Sequence, residues 1–559
     1  MLSRLKVAIQ PATEAPRFRR LFDALERLFP VSFHPSNESN GNTASDAALL
    51  VGVDRATAVK VASRGLPCYA AMGPEHPADV SGSRTPDGPP TTVFFPGRLR
   101  VDPLLDGQTL VEFGNAGVGA LAMGSGDIPV AECGERVFWA RHGEGRKSVD
   151  LVAAGLPVLG SRDYLCHFFS GNSFCSLLPL LCFLRRLCAE RLAWTRPPLG
   201  GCFIFDDPSL RHFRYGCLDF RQLARTAQEQ GIHAVVATIP IDVGGAKGEV
   251  CRLFREKSGY ISLTPHGNNH VRCELARGWD AGMQLKLMAQ ALRRMDCLAT
   301  RHGLKISRVM EPPYGVVDHE FIKALALLDY EGVMITPSQF LRANRSHDWT
   351  PSFGMERAET FPSGLAIIPR IVMGRKALTE MVLAAFLGQP VVLAAHHHDV
   401  ADGMDWIANY TARLRGAGPI QWSDLSALVQ RSYETLSLGD ILRVRPGARS
   451  IQVCLPESAR AVVVERPWVA ETPLQPLCVQ TLSGEVITEI TSGSVSAPIP
   501  VPGGTTLRIQ SLRNGMDATA EVEDPGFAVW PKVRRTLMEA RDRVYPWSLR
   551  YLKAARSGQ

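Results

Sequence analysis

The 13 cysteines of this 559-residue chain include no C-x-x-C pair, and their number is odd. This pattern argues against both a disulfide framework and a cysteine zinc cluster, and it favours a reducing compartment. The first residues, MLSRLKVAIQ, lack the apolar core and the cleavage site of a signal peptide. From these absences we expect a cytoplasmic protein.

Long apolar runs and a strong excess of one charge are also missing. The most lipid-like stretch, FCSLLPLLCFL at residues 174–184, is about half the length that a bilayer requires, so we expect a buried helix there. The net charge of +7 is spread thinly, and no basic stripe interleaved with aromatic residues precedes the last segment, so no nucleic-acid partner is expected. The composition, 45% hydrophobic and 21% charged, is that of a folded protein of roughly two to four domains.

The order of apolar runs divides the chain into three units. Residues 1–195 alternate strand and helix patterns, which predicts an open α/β domain of flavodoxin-like or amidotransferase-like outline and unknown role. Residues 196–440 hold seven strand candidates separated by helices, which predicts a distorted parallel (β/α)7-type barrel: CFIF, HAVVATI, YISLT, SRVME, GVMIT, LAIIPRI and PVVLAA. Residues 441–559 begin with short strands punctuated by Gly, Pro and Ser, which predicts a β-sandwich.

The final segment, Lys532 to Arg556, is helical in pattern, basic, and interrupted by Pro546. We expect an amphipathic helix docked on the body of the protein. The alternative is a helix that contacts a membrane surface or a partner.

Polar side chains follow two of the barrel's predicted strands. Asp206 and Asp207 end the buried run CFIF, although an unpaired carboxylate is costly at such a position. After YISLT come His266 and His270, four residues apart, so both imidazoles can face one point. Taken alone, the first pattern also fits a strand that emerges into water, and the second fits a pair of surface histidines.

Two further strands end on residues that can carry chemistry. The segment RVMEPPYG stiffens the backbone with prolines and continues into Tyr314, although it also fits a plain turn. The run VVLAA ends on His396, His397 and His398, where an ionisable group could transfer protons.

All four patterns follow different strands of one predicted barrel, and in a parallel barrel such positions converge on one face. One carboxylate and two imidazoles form a three-ligand metal site with an open position, as in hydrolytic zinc centres. The sequence therefore predicts a metal centre, with a second aspartate free to act as a base.

In this order the motifs resemble those of the NodB-homology polysaccharide deacetylases, carbohydrate esterase family 4. That family has Thr-Phe-Asp-Asp, His-Ser/Thr-x-x-His, Arg-Pro-Pro-Tyr/Trp-Gly and a late Leu-x-His, and the resemblance covers residues 201–438. It implies that Asp207, His266 and His270 bind one divalent metal, zinc first, with cobalt, nickel or manganese as alternatives.

The resemblance also implies roles in catalysis. Asp206 would be the general base, the Tyr314 backbone N–H would help bind the oxyanion, and His396 would protonate the leaving amine, with His398 as the alternative. The implied activity is hydrolytic removal of acetyl groups from an N-acetylated or O-acetylated saccharide in surface-polysaccharide metabolism.

The sequence departs from the family pattern at two positions. Gly267 replaces the usual Ser or Thr, and Glu311 stands where the family has an arginine that orients the catalytic aspartate. Arg308 or Arg370, both near strand ends, could take over that arginine's role. Together with Pro313 and His398, these arginines are expected to contact the substrate or to support the site.

Two other functions stay open at this point. A metal-dependent hydrolase could cleave another bond, either glycosidic or a non-sugar amide. A protein that has lost turnover, which the change at Glu311 would allow, could act as a non-catalytic saccharide-binding or assembly protein. The sequence leaves the glycan and the oligomeric state undetermined.

Overall fold

The structure is a computed structural model. It describes residues 4–36, 45–72, 80–81, 90–114, 118–189, 194–466, 476–491, 494–511, 519, 521–526 and 529–557.

The N-terminal unit is built on a nine-stranded sheet in the order β2-β1-β3-β4-β11-β10-β9-β6-β7, with β5 and β8 forming a separate pair. Its strands are β1 Leu5–Gln10, β2 Val31–Pro35, β3 Ala47–Val51, β4 Cys68–Ala71, β5 Val80–Ser81, β6 Thr91–Phe94, β7 Thr109–Glu112, β8 Ala120–Leu121, β9 Asp127–Cys133, β10 Arg136–His142 and β11 Val149–Val152. Its helices are α1 Arg19–Leu28, α2 Arg55–Ser63, α3 Leu165–Phe168 and α4 Leu178–Leu187.

This unit has the predicted α/β character, but its sheet is mixed. The strands from β2 to β11 pair in parallel, whereas β10, β9, β6 and β7 continue the sheet antiparallel. The antiparallel half, which was not predicted, distinguishes the sheet from an all-parallel flavodoxin-like one. Helix α4 is buried along its first seven residues, as the apolar run at 174–184 predicted.

The central unit contains all seven predicted strands. Its strands are β12 Gly200–Asp206, β13 Arg214–Tyr215, β14 Leu218–Asp219, β15 Ala234–Thr238, β16 Ile261–Pro265, β17 Val309–Met310, β18 Gly332–Ile335, β19 Ala366–Pro369, β20 Ile371–Val372, β21 Val391–His396 and β22 Gln421–Trp422. Its helices are α5 Phe220–Gln230, α6 Gly248–Glu256, α7 Ala281–His302, α8 His319–Leu327, α9 Pro337–Ala343, α10 Ala377–Leu387, α11 Asp405–Arg413 and α12 Leu425–Gln430.

Parallel pairing in this unit runs through β20-β21-β12-β15-β16 and separately through β17-β18-β19. Two parallel bridges, Leu263 to Ile306 and His266 to Glu311, join β16 to the segment that contains β17. On the other side, β19 and β20 follow each other directly along the chain. The carboxyl ends of β12, β16, β17 and β21 are thereby brought to the same side of the unit.

Local signals set the ends of the long helix α7. Asp280 is its N-cap and accepts a hydrogen bond from the Met283 backbone N–H, while Gly303 ends it with a left-handed φ of 62°. A side chain at the N-cap and a glycine after the last turn satisfy backbone groups that a helix leaves unpaired. Residues next to its ends in the sequence thus set the bounds of α7.

Two four-stranded sheets follow, ordered β23-β24-β26-β29 and β25-β30-β27-β28. Their strands are β23 Tyr433–Leu438, β24 Ile441–Pro446, β25 Ser450–Cys454, β26 Ala461–Val464, β27 Leu477–Thr481, β28 Val486–Ile490, β29 Ile499–Pro500 and β30 Thr506–Ser511. Val444 and Val462 of one sheet share an apolar cluster with Ile451 and Ile509 of the other. The predicted boundary at residue 440 falls inside the β23–β24 hairpin.

The last described element is helix α13, Val529–Ser557, with Pro546 inside it. Among the described residues, no helix is both long and apolar enough to cross a membrane.

Candidate metal centre and catalytic face

Asp207, His266 and His270 lie together where β12 and β16 end. Oδ1 of Asp207 is 3.1 Å from Nε2 of His270 and 3.6 Å from Nε2 of His266. One ligand atom from each of the three lies within 4.8 Å of the others. The structure thus brings the three predicted metal ligands to one point.

The backbone of the His266–His270 loop is held by a buried carboxylate. Glu274 accepts hydrogen bonds from the backbone N–H groups of Asn268, Asn269 and His270, at 2.9–3.1 Å. Such a cradle fixes the direction in which the loop presents its imidazoles. In the sequence Glu274 is a single glutamate after a histidine pair, and this carries no recognisable signal of its role.

Gly267 is required by the geometry of this loop. Its φ is +61°, and a Cβ at this position would lie 2.7 Å from Cγ of Pro313 and 2.8 Å from Oε2 of Glu274. A serine or threonine would therefore meet both a left-handed backbone and a steric clash. Pro313 packs against the His266–His270 loop at this position, which brings the PPYG segment to the site.

Hydrogen bonding sets the tautomer of His266. Its Nδ1 is 3.1 Å from the backbone carbonyl oxygen of Glu311. Because a carbonyl can only accept, Nδ1 must carry the proton, and the lone pair of Nε2 faces Asp207. This is the tautomer that a metal-binding imidazole needs.

The protonation states also suit a cation. Burial lowers the pKa of His266 and lowers that of His270 to about 4, so both rings are neutral at pH 7. Burial raises the pKa of Asp207, whereas His270 and His266 when they are protonated, together with Arg535, lower it, and the net shift is downward. Among the described residues, none has hydrogen-bond geometry to the buried Oδ1 of Asp207, although Nε2 of His270 lies 3.1 Å from it. An ionised carboxylate oxygen beside two neutral imidazoles fits a divalent metal with N and O ligands.

Asp206, the adjacent carboxylate, is buried and held by Arg370. Nη1 of Arg370 lies 3.1 Å from Oδ2 of Asp206, and Arg370 also forms an ion pair with Glu311. Gly315, with φ +65°, lets the chain pass close to this guanidinium, because a Cβ there would be 2.9 Å from Nη2. Arg308 lies elsewhere and forms a partly exposed ion pair with Asp296.

Arg370 therefore contacts the aspartate that the family's arginine would orient. The arginine follows the end of β19 rather than coming from the PPYG segment, and its Nη1 also forms the ion pair with Glu311. Position 311 thus carries a negative charge in place of the positive charge of the family pattern, and Arg370 supplies a positive charge beside Asp206.

Tyr314 is at the edge of the metal cluster. Its ring lies 6.2 Å from that of His270, at 24° between the planes, and half of the residue is exposed. Its φ of 64° is left-handed, which is uncommon for a residue with a side chain and clusters at functional sites.

The side chains of His396, His397 and His398 lie in different environments. His396 pairs in register with Asp206 on the neighbouring strand and is close enough to influence the pKa of Asp207. His397 is buried against Tyr215, and its Nε2 lies 3.6 Å from Asp542 of α13. His398 is half exposed, and its ring stacks on that of His396.

Helix α13 contributes its polar side chains to the same face of the central unit. Arg535 donates to the backbone oxygen of Asp207 at 2.6 Å and forms a buried ion pair with Asp242. Asp542 accepts a hydrogen bond from the hydroxyl of Tyr215 at 2.6 Å. Sequence reasoning missed these contacts because more than 290 residues separate their partners.

Among solved structures, polysaccharide deacetylases of carbohydrate esterase family 4 match the chain. A peptidoglycan N-acetylglucosamine deacetylase shares 14% identity, with 44% of this chain and 96% of its own covered and a TM-score of 0.26. A family 4 carbohydrate esterase from Streptomyces lividans, in complex with acetate, shares 12% identity, with 40% of this chain and 87% of its own covered and a TM-score of 0.23. A mutant of a family 4 pseudoenzyme with restored activity shares 9% identity, with 42% of this chain and 68% of its own covered and a TM-score of 0.26.

No protein-family model and no curated protein sequence matches the chain. The resemblance seen in the motifs thus recurs among solved structures and again covers about two-fifths of the chain. Because these identities and TM-scores are low, the chemistry of the site has to be inferred from this chain's own side chains.

A second set of candidate ligands lies on the surface. His319, Glu320 and His347 also bring three ligand atoms within 4.8 Å of one another. Glu320 and His347 are exposed, and both carboxylate oxygens of Glu320 accept hydrogen bonds from Lys323.

Proposed function

We propose that this protein is a metal-dependent hydrolase that removes acetyl groups from an N-acetylated or O-acetylated saccharide. The observation that supports it is one buried arrangement: Asp207, His266 and His270 converge beside Asp206, which Arg370 holds. The convergence of these side chains at one buried point supports the assignment of a metal centre with an adjacent base.

Asp207 would bind the metal through a carboxylate oxygen, and His266 and His270 through Nε2. A divalent metal with an open position supplies Lewis acidity and lowers the pKa of water. Zinc fits two imidazoles and a carboxylate best, and cobalt, nickel and manganese are the other candidates.

Asp206 would accept the proton of the attacking water. Its Oδ2 is occupied by Arg370, whereas no described residue forms a hydrogen bond with its Oδ1, which leaves that atom to take the proton. The Tyr314 backbone N–H would donate to the oxyanion of the tetrahedral intermediate. His396 would then protonate the departing amine or hydroxyl, which leaves acetate as the second product.

The surrounding units are assigned within the same proposal. We assign the parallel strands of residues 196–440 to a distorted barrel, and residues 441–559 to a β-sandwich followed by α13. We assign residues 1–195 to an α/β unit that shares an apolar core with the central unit, and we propose no role for it. A cytoplasmic location stays a prediction.

Bound metal is the first measurement. We expect about one equivalent of a transition metal by mass spectrometry on the purified protein, and its loss in His266→Ala. His347→Ala is the matched control, because it removes a histidine from the surface cluster and should keep the full equivalent. A protein that stays metal-free after incubation with zinc would exclude the hydrolase and favour a saccharide-binding role.

Acetate release is the second measurement. Chito-oligosaccharides test N-deacetylation and acetylated xylan tests O-deacetylation, with Asp206→Asn as the inactive control. Cleavage of another bond without acetate release would favour the alternative hydrolase. Saccharide binding without any product, unchanged in Asp206→Asn, would favour the non-catalytic protein.

A further inference from the structure

Helix α13 has an unusual distribution of side chains. Its buried face is polar: Arg535, Glu539 and Asp542 are all at most 4% exposed. Glu539 bonds to Ser209 and Arg211 of the central unit, in addition to the contacts that Arg535 and Asp542 make there. The helix is therefore held to the body of the protein by hydrogen bonds and ion pairs rather than by an apolar stripe.

The opposite face of α13 is apolar and exposed. Six exposed apolar residues fall within about 100° of arc on a regular helix. They are Val529, Trp530, Val533, Leu537, Ala540 and Val544. We call these six residues the outer stripe.

Basic residues border the outer stripe on both sides. At 100° per residue, Lys532 and Arg543 lie along one edge and Arg534 and Arg541 along the other. Both acidic residues between 529 and 546 are on the buried face, and the acids just before the helix, Glu523 and Asp524, form ion pairs with α7. Arg541 and Arg543 form ion pairs with Asp542 and Glu539, and the four basic residues leave the border of the outer stripe with a net positive charge.

We propose that the outer stripe docks on an anionic lipid surface. An apolar arc with an aromatic residue and flanking Lys and Arg is the pattern of helices that lie in the membrane interface. A second copy of this chain fits less well, because pairing two outer stripes would bring arginines on the edges against arginines. Docking would hold the catalytic face, which contacts the inner side of α13, about one helix diameter from the lipid surface.

Vesicle sedimentation with the full-length protein tests this proposal. We expect binding to vesicles of equal parts phosphatidylcholine and phosphatidylglycerol, weaker binding to phosphatidylcholine alone, and a decrease at high salt. Leu537→Glu should lower the partition coefficient about tenfold or more, because it places a charge at the apolar contact.

Leu327→Glu is the matched control, because Leu327 ends helix α8 and is 64% exposed, against 63% for Leu537. It should bind vesicles as the wild type does, and circular dichroism should show both variants folded. If circular dichroism shows Leu537→Glu unfolded, Lys532→Gln combined with Arg541→Gln replaces it and should weaken binding to the anionic vesicles.

Three outcomes would overturn the proposal: no binding to either vesicle, an equal loss in both leucine variants, or wild-type binding by a folded Leu537→Glu. A dimer in sedimentation equilibrium that Leu537→Glu dissociates, without vesicle binding, would overturn it in favour of self-association.

Discussion

Among the described residues, four groups bring three potential metal ligands within 4.8 Å of one another, and two of these groups, at Asp207 and at His319, differ in everything around the ligands. The cluster at Asp207 is buried, and its histidine loop is tied to Glu274 and to the Glu311 carbonyl. In the cluster at His319, two of the three residues are exposed, and its carboxylate already binds Lys323.

The difference shows that three metal-binding side chains close to one another are not sufficient for a metal site. A metal gains most where the protein has already desolvated, oriented and deprotonated the ligands, because those costs are then met by folding. Removing the groups that support the buried cluster should therefore have larger effects than changing the surface cluster.

Removing the guanidinium beside Asp206 should have the largest effect. Arg370→Leu leaves two buried carboxylates, Asp206 and Glu311, without their cation, and should lower the free energy of unfolding by about 3–5 kcal/mol. Denaturant unfolding measures the change, and acetate release should be lost with it. Arg308→Leu, whose ion pair is partly exposed, should cost less than about 1 kcal/mol; similar losses in both variants would contradict this assignment.

Gly267→Ala should be the next most severe change. A left-handed alanine costs about 1–2 kcal/mol, and the contact of its Cβ with Pro313 adds about 1–3 kcal/mol of overpacking. Gly278→Ala is matched in φ, at +65°, but its Cβ would meet nothing within 4 Å. Thermal unfolding should therefore show the larger loss for Gly267→Ala, and equal losses would show that the loop has room for a side chain.

The carboxylate that holds the histidine loop should affect metal binding. Glu274→Gln weakens the bonds to three backbone N–H groups, and we expect the metal dissociation constant to rise about 10- to 100-fold. Competition with a fluorescent chelator measures it. Glu320→Gln changes a carboxylate of the surface cluster and serves as control; the prediction fails if both variants keep wild-type affinity.

The smallest effect is expected at the surface cluster itself. His347→Ala should leave acetate release and the tightly bound metal equivalent unchanged, and unfolding should shift by no more than about 0.5 kcal/mol. Loss of the tightly bound equivalent would place the metal at the wrong cluster and reverse the comparison.

Much of the central unit could be predicted because its signals are local. The seven apolar runs formed strands near their predicted positions, and the polar residues at four strand ends came to the same side. Strand periodicity, caps and turn residues act over a few neighbours, so a single sequence contains them.

The supporting groups could not be predicted because they act across long separations. Arg370 is 164 residues from Asp206, and Arg535 is 328 from Asp207. Nothing in the sequence near position 206 indicates which of Arg308 and Arg370 reaches that aspartate.

The amino-acid sequence by itself determined the strands, the order of the motifs and the identity of the candidate ligands, because each depends on short-range pattern and residue type. Only the tertiary structure decided how those ligands are held: the arginine beside Asp206, the carboxylate under the histidine loop, and the polar face of α13 against the site. Burial and charge pairing arise only when segments that are distant in the sequence pack together. This packing orders the candidate ligands into one centre.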